Sequence, residues 1–110
     1  MAYAQGSIVL VENPYADGLR PVMIVSNDER PYQGKQYTFV IVTTTERDKA
    51  IRLEADDFTE GSLNVAPSFV NPWSVHEIEH AEIDRRVAQV SDDVIADVAD
   101  GVSRYVKPSC

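Results

Sequence analysis

Short apolar, β-branched runs separated by Gly, Pro and Asp occupy most of the chain, and helical spacing enters only near its end. Ile8-Val9-Leu10-Val11, bounded by Gly6 and Asn13-Pro14, predicts a central strand over 6–12. Residues 13–19 contain Pro14, Asp17 and Gly18 and are turn chemistry throughout. Val22-Met23-Ile24-Val25 predicts a second strand over 20–26, entered through Arg20-Pro21. Pro21 fixes its own φ and biases Arg20 towards extended backbone, so the guanidinium leaves a stiff strand start. A polar loop over 27–35 follows. A third strand is expected over 36–45, where Tyr37 to Thr45 is dense in β-formers. A fourth is expected over 50–54, where Ile51 and Leu53 alternate with Arg52 and Glu54, and Glu46-Arg47-Asp48-Lys49 reads as a charged hairpin turn between the two.

Downstream, Glu60-Gly61 marks a turn before Leu63-Asn64-Val65. Pro67 and Pro72 bracket Ser68-Phe69-Val70-Asn71 and limit it to an edge strand or a stiff extended segment. Two further extended pieces are expected over 73–78 and 81–87, with a turn at Glu79-His80. Ser91 is a good N-cap, Asp92 and Asp93 suit the positive end of a helix, and Arg104 and Lys107 suit the negative end. Val94, Ile95, Val98, Val102 and Tyr105 share one stripe, which predicts an amphipathic helix of about four turns. Gly101 either weakens that helix by about 1 kcal/mol relative to Ala or admits a close approach of another backbone. Strands followed by one helix predict a single domain over 1–110, mainly β within the α+β class: a small antiparallel barrel or curled sheet with its helix on one side.

Composition narrows the partners. With 18 Asp and Glu against 10 Lys and Arg, the formal charge of 110 residues is -8, which opposes non-specific binding to nucleic acid. No apolar run approaches the roughly 20 residues of a bilayer span, so a cytoplasmic location without membrane contact is expected. Cys110 is the only cysteine, which excludes an internal disulfide and a cysteine-based zinc site.

Familiar catalytic signatures are mostly missing: the chain has no glycine-rich phosphate loop, no Gly-x-Ser-x-Gly and no His-Glu-x-x-His. A stiffly placed Arg20 can read phosphate or carboxylate, with a surface ion pair as its ordinary alternative. Thr43-Thr44-Thr45 can set a hydroxyl beside a ligand, or simply suit a strand end. His76 and His80, four apart among Glu77 and Glu79, admit a metal reading that lacks a third ligand; a solvated or hydrogen-bonded pair is preferred. Trp73 and Tyr37 can stack on bases, although a lone Trp more often packs a core or an interface.

Taken in order, Gly6-Ser7-Ile8-Val9-Leu10-Val11, then Leu19-Arg20-Pro21-Val22-Met23-Ile24-Val25-Ser26, then Phe39-Val40-Ile41-Val42-Thr43-Thr44-Thr45 resembles the MazF/PemK (Kid) toxin family. Residues 84–106 resemble its last strand and C-terminal helix more loosely. The resemblance implies an SH3-like small barrel of the CcdB/MazF/PemK type with one C-terminal helix, a homodimer, and metal-independent cleavage of single-stranded RNA with no cofactor. It also implies a toxin restrained by a cognate antitoxin protein. By matched position Arg20 and Thr44 are the catalytic residues, and Thr45 replaces Thr44 if the match slips by one; Asp17, Gly18, Lys35 and Thr43 are expected to bind RNA.

Attack of a ribose 2'-hydroxyl on the adjacent phosphate builds negative charge that a fixed Arg fork and a Thr hydroxyl can stabilise. The proton acceptor is unassigned, because Arg stays protonated; His76 and His80 are candidates by chemistry. Two other readings stand beside this one. A non-catalytic CcdB/PemK-like toxin would act by binding a protein, and a small barrel interaction module would have no toxin role.

Overall fold

A computed structural model describes residues 2–63 and 67–108. Most of the expected Leu63-Asn64-Val65 piece, and Cys110, lie outside the described residues. Within the described residues, seven strands, β1 (Ser7–Glu12), β2 (Leu19–Ile24), β3 (Gln36–Thr43), β4 (Ile51–Leu53), β5 (Phe58–Gly61), β6 (Ser68–Glu79) and β7 (Ile83–Val90), precede one helix, α1 (Asp92–Val106). They form a single antiparallel sheet in the order β4-β6-β3-β2-β1-β7-β5. The mainly β architecture with one C-terminal helix is the one expected.

The central strands are apolar on both faces, which is why their sequence runs are continuous rather than alternating. On one face Ile8, Met23, Val40, Val42, Val70, Ala88 and Val90 pack with Val94 and Val98 of α1. On the other, Val9, Val11, Val22, Ile24, Tyr37, Phe39, Ile78 and Ile83 form a second cluster without the helix. The sheet reaches both sets by curling. Register shifts between Ile8 and Val9 and between Leu10 and Val11 against β7 insert bulges, and bulges sharpen twist and bend. Ser91 caps α1 by accepting from the Val94 N–H, as expected of that residue.

Several boundaries differ from expectation. Segment 68–71 is no edge strand: it opens the twelve-residue β6, paired with β4 on one side and β3 on the other. Pro72 is tolerated there because the β3 partner jumps from Val75 to Asn71 between Val40 and Ile41, so Pro72, Trp73 and Ser74 bulge out of the ladder. The same insertion removes the expected hairpin at 46–49. β6 lies between β3 and β4, and the chain crosses over its end. Expectation also missed β5. Gly61 does not turn the chain away but lets it pair closely with β7, since a Cβ there would meet the Val87 carbonyl oxygen at 2.1 Å. β7 runs three residues beyond the predicted end, to Val90, and the turn before it is the short 3-10 segment His80–Glu82.

Gly101 resolves in favour of close approach, though the neighbour is a side chain. A Cβ at this position would stand 2.8 Å from Cβ and Cγ of Pro72, a rigid ring fully buried under the helix. Helix propensity alone favours Gly101→Ala by about 1 kcal/mol, whereas overpacking against an immobile ring costs about 1–3 kcal/mol. Urea denaturation of Gly101→Ala is expected to show a net loss of stability. A gain would mean that α1 does not seat on the β6 bulge this closely.

Candidate active site

Strand geometry places Arg20. Val22 and Ile24 of β2 are fully buried in the helix-free cluster. The two-residue period of the strand sets Arg20 on the same face, just past the point where core residues run out. Pairing with Val11 and the fixed φ of Pro21 hold its backbone. The preceding loop is closed by the Asn13 N–H donating to the Gly18 carbonyl at 3.0 Å and the Tyr15 N–H donating to Asn13 Oδ1 at 2.9 Å. Gly18 has φ of 100°, a left-handed value that glycine adopts without a Cβ clash. This tight loop leaves the Tyr15 side chain 89% exposed beside Arg20.

Arg20 is half-buried, and its Nε has no hydrogen-bond partner among the described residues. Leaving such a donor unpaired costs about 1–3 kcal/mol, which makes it a position where an incoming acceptor is rewarded. The side chain stands between two grooves and walls both. The first, ≈ 570 Å³, brings Arg20 and Arg85 together with Thr43, Thr44, Ser62 and Tyr15, and no described Asp or Glu lines it. The second, ≈ 1030 Å³, has an apolar floor of Val11, Val22, Phe39, Ile41 and Ile78 and a rim carrying Glu12, His76, Glu77 and Glu82.

The third strand stops short of its expected end for a local reason. Thr43 Oγ1 accepts from the Thr45 N–H at 3.2 Å, bending the chain after Thr43 so that Thr44 lines the first groove and Thr45 does not. Arg85 arrives from β7, opposite Leu10, and its partner is the adjacent Asp84. Such an exposed ion pair is worth at most about 1 kcal/mol, so Arg85 can turn to an anion at small cost. The two histidines diverge. His80 Nδ1 is 2.8 Å from the Tyr37 hydroxyl, which accepts from the Tyr3 N–H at 3.0 Å, and its ring stacks on Tyr3. His76 stacks on Phe39, with ring centroids 5.4 Å apart. Among the described residues no group of three or more His, Cys, Asp or Glu is placed to hold a metal ion.

Of the residues expected at the site, Arg20, Thr43 and Thr44 converge on the first groove. Asp17 and Gly18 lie in the exposed β1–β2 loop outside both walls, and Lys35 precedes β3, about 25 Å along the strand from Thr43. Tyr15 and Arg85 were missed. An exposed aromatic within turn chemistry was the available signal for Tyr15, whereas only the β1–β7 register brings Arg85 to Arg20. An Arg fork and a Thr hydroxyl on one carboxylate-free wall can hold a phosphate between them.

The sequence matches, over residues 4–106, the family described as PemK-like, MazF-like toxin of type II toxin-antitoxin system. Similar solved structures include an endoribonuclease in complex with its cognate antitoxin from a mycobacterial species, with 16% identity, TM-score 0.75 and 99% and 98% of the two chains covered. A MazE-MazF structure from Deinococcus radiodurans is 18% identical with TM-score 0.76, covering 99% of this chain and 100% of that one. The Mycobacterium tuberculosis toxin MazF-mt6 is 20% identical with TM-score 0.70, covering 94% and 99%. At these identities the likeness establishes the fold. No curated protein aligns significantly with the sequence. The chain belongs to the PemK-like, MazF-like toxins of type II toxin-antitoxin systems. No helix of the described residues is long and apolar enough to cross a membrane.

The unpaired Nε makes a prediction independent of any substrate. Arg20→Met keeps the aliphatic stem and removes the buried donor, so its urea unfolding free energy is expected to equal or exceed that of the parent, within about 0.5 kcal/mol on the low side. A loss above 1 kcal/mol would make Arg20 a structural residue.

Proposed function

We propose that this protein is a toxin endoribonuclease that cuts single-stranded RNA by 2'-hydroxyl attack on the adjacent phosphate, without metal. The observation that carries this reading is Arg20 Nε, buried and unpaired at the edge of a groove walled by Thr44 and Arg85 and by no described carboxylate. In the transition state the non-bridging oxygens gain charge; Arg20 donates to one and the Thr44 hydroxyl to another, with Thr43 beside them. Tyr15 offers a stacking face to an unpaired base. The net charge of -8 does not describe the groove, because Asp92, Asp93, Asp97 and Asp100 sit on α1, outside both walls.

The protein acts in the cytoplasm as a homodimer, restrained by a cognate antitoxin, and 1–110 is one PemK-like domain. Exposed Trp73, packed edge-on against exposed Tyr105 with Val106 beside it, supports a protein contact where the β6 bulge meets the end of α1. Asp17, Gly18 and Lys35 contribute only to RNA lying beyond the grooves.

Purified protein is expected to cut a long single-stranded RNA in the presence of chelator. Arg20→Ala and Thr44→Ala should each lower the rate by about 10²–10³-fold, and Thr45→Ala should leave it nearly unchanged. An undiminished rate in Arg20→Ala, or no cleavage by the parent at low or high salt, defeats the reading. Arg85→Ala should weaken RNA binding and reduce the slope of log affinity against log salt by about one; an unchanged slope would remove Arg85 from the RNA path.

A further inference from the structure

A 2'-hydroxyl must lose its proton to attack, and neither Arg20 nor Thr44 can take it near neutral pH. Potential acceptors are gathered in the second groove, on the other side of Arg20. Glu77 is held there by Arg30 Nη2 at 2.6 Å. Glu12 and Glu82 are exposed, and no hydrogen bond or ion pair among the described residues holds either carboxylate in one position. His80 lies outside the walls with its Nδ1 paired to Tyr37. His76 differs from all of these. Its ring is fixed by stacking on Phe39, it is exposed to the groove, and neither ring nitrogen has a hydrogen-bond partner among the described residues.

Resting on the ribonuclease reading, we infer that His76 is the base that takes the 2'-hydroxyl proton from a nucleotide seated in the second groove, while Arg20 holds the scissile phosphate at the boundary between grooves. The 2'-oxygen forms its bond to phosphorus as the bond to the 5'-oxygen breaks. The proton passes to an unoccupied ring nitrogen of His76, the electron pair leaves with the 5'-oxygen, and that oxygen takes a proton from water. The products are a 2',3'-cyclic phosphate and a 5'-hydroxyl end. This fixes the direction of the strand. The apolar floor of the second groove suits the base and ribose on the 5' side of the cut, and its carboxylates disfavour a further phosphate there. The 3' side then runs into the first groove, towards Arg85. Among the described residues, the charged and titratable groups that line this groove with His76 are Glu12 from β1, Arg20 from β2, Tyr15 from the loop, Glu77 from β6 and Glu82 from the following turn, with Arg30 paired to Glu77.

The test is single-turnover cleavage of an RNA oligonucleotide across a pH series by the full-length parent, His76→Gln and His80→Gln, with binding of a 2'-deoxy analogue measured in parallel. The parent rate should climb with pH and then level off once the base is free of its proton. His76→Gln should be about 10²–10⁴-fold slower and lose that climb, with analogue affinity within about twofold of the parent; His80→Gln should keep the climb. Persistence of the climb in His76→Gln overturns the inference while leaving the nuclease reading intact. A rate loss matched by an equal loss of analogue affinity overturns it as well, making His76 a binding group. A parent that cuts no RNA removes both.

Discussion

The alternation of β2 governs where the chemistry sits. Val22 and Ile24 must face the helix-free cluster because their burial holds the sheet together there, and a strand cannot rotate one residue without turning all its neighbours. Arg20 is therefore committed to that face, at the edge of the core, with Pro21 removing the backbone freedom that would let it withdraw. The cost of its unpaired Nε is met by packing elsewhere in the strand. Buried aliphatic side chains at about 1.5–3 kcal/mol each easily support one unsatisfied donor. The fold thus holds a cation where solvent is scarce and an anion is favoured.

A second constraint comes from β6. Because Pro72 cannot donate to a ladder, the strand bulges at Pro72, Trp73 and Ser74 while still pairing with β3 on both sides of the bulge. The bulge receives Gly101 of α1 against Pro72 and sets Trp73 edge-on to Tyr105 of the same helix. Beyond the bulge, the restored register sets His76 opposite Phe39. One imino acid in mid-strand therefore links the seat of the helix to the wall of the second groove.

Local chemistry made much of this legible. The continuous apolar runs announced β1, β2 and β3, Ser91 announced the start of α1, and Arg20-Pro21 with the Thr run announced one wall of the site. What escaped depends on pairing between residues distant in sequence. Pro72 suggested an edge because its compensating register jump lies on β3. Gly61 suggested a turn because the close passage of Val87 is a tertiary fact. Arg85 and Tyr15 join Arg20 only through the curl of β1 against β7 and the closure of the first loop. Thr45 and Lys35 looked equivalent to their neighbours in sequence, but the bend after Thr43 and the length of β3 separate them from the groove.

The central claim is that Arg20 Nε, unpaired in the free protein, takes its acceptor from the scissile phosphate. Nitrogen-15 NMR of the arginine side chains during titration with a 2'-deoxy analogue of the RNA measures this directly. On binding, the Arg20 Nε–Hε resonance is expected to shift strongly and to become protected from exchange with water. An Arg20 resonance that stays in place while the analogue binds elsewhere would contradict it.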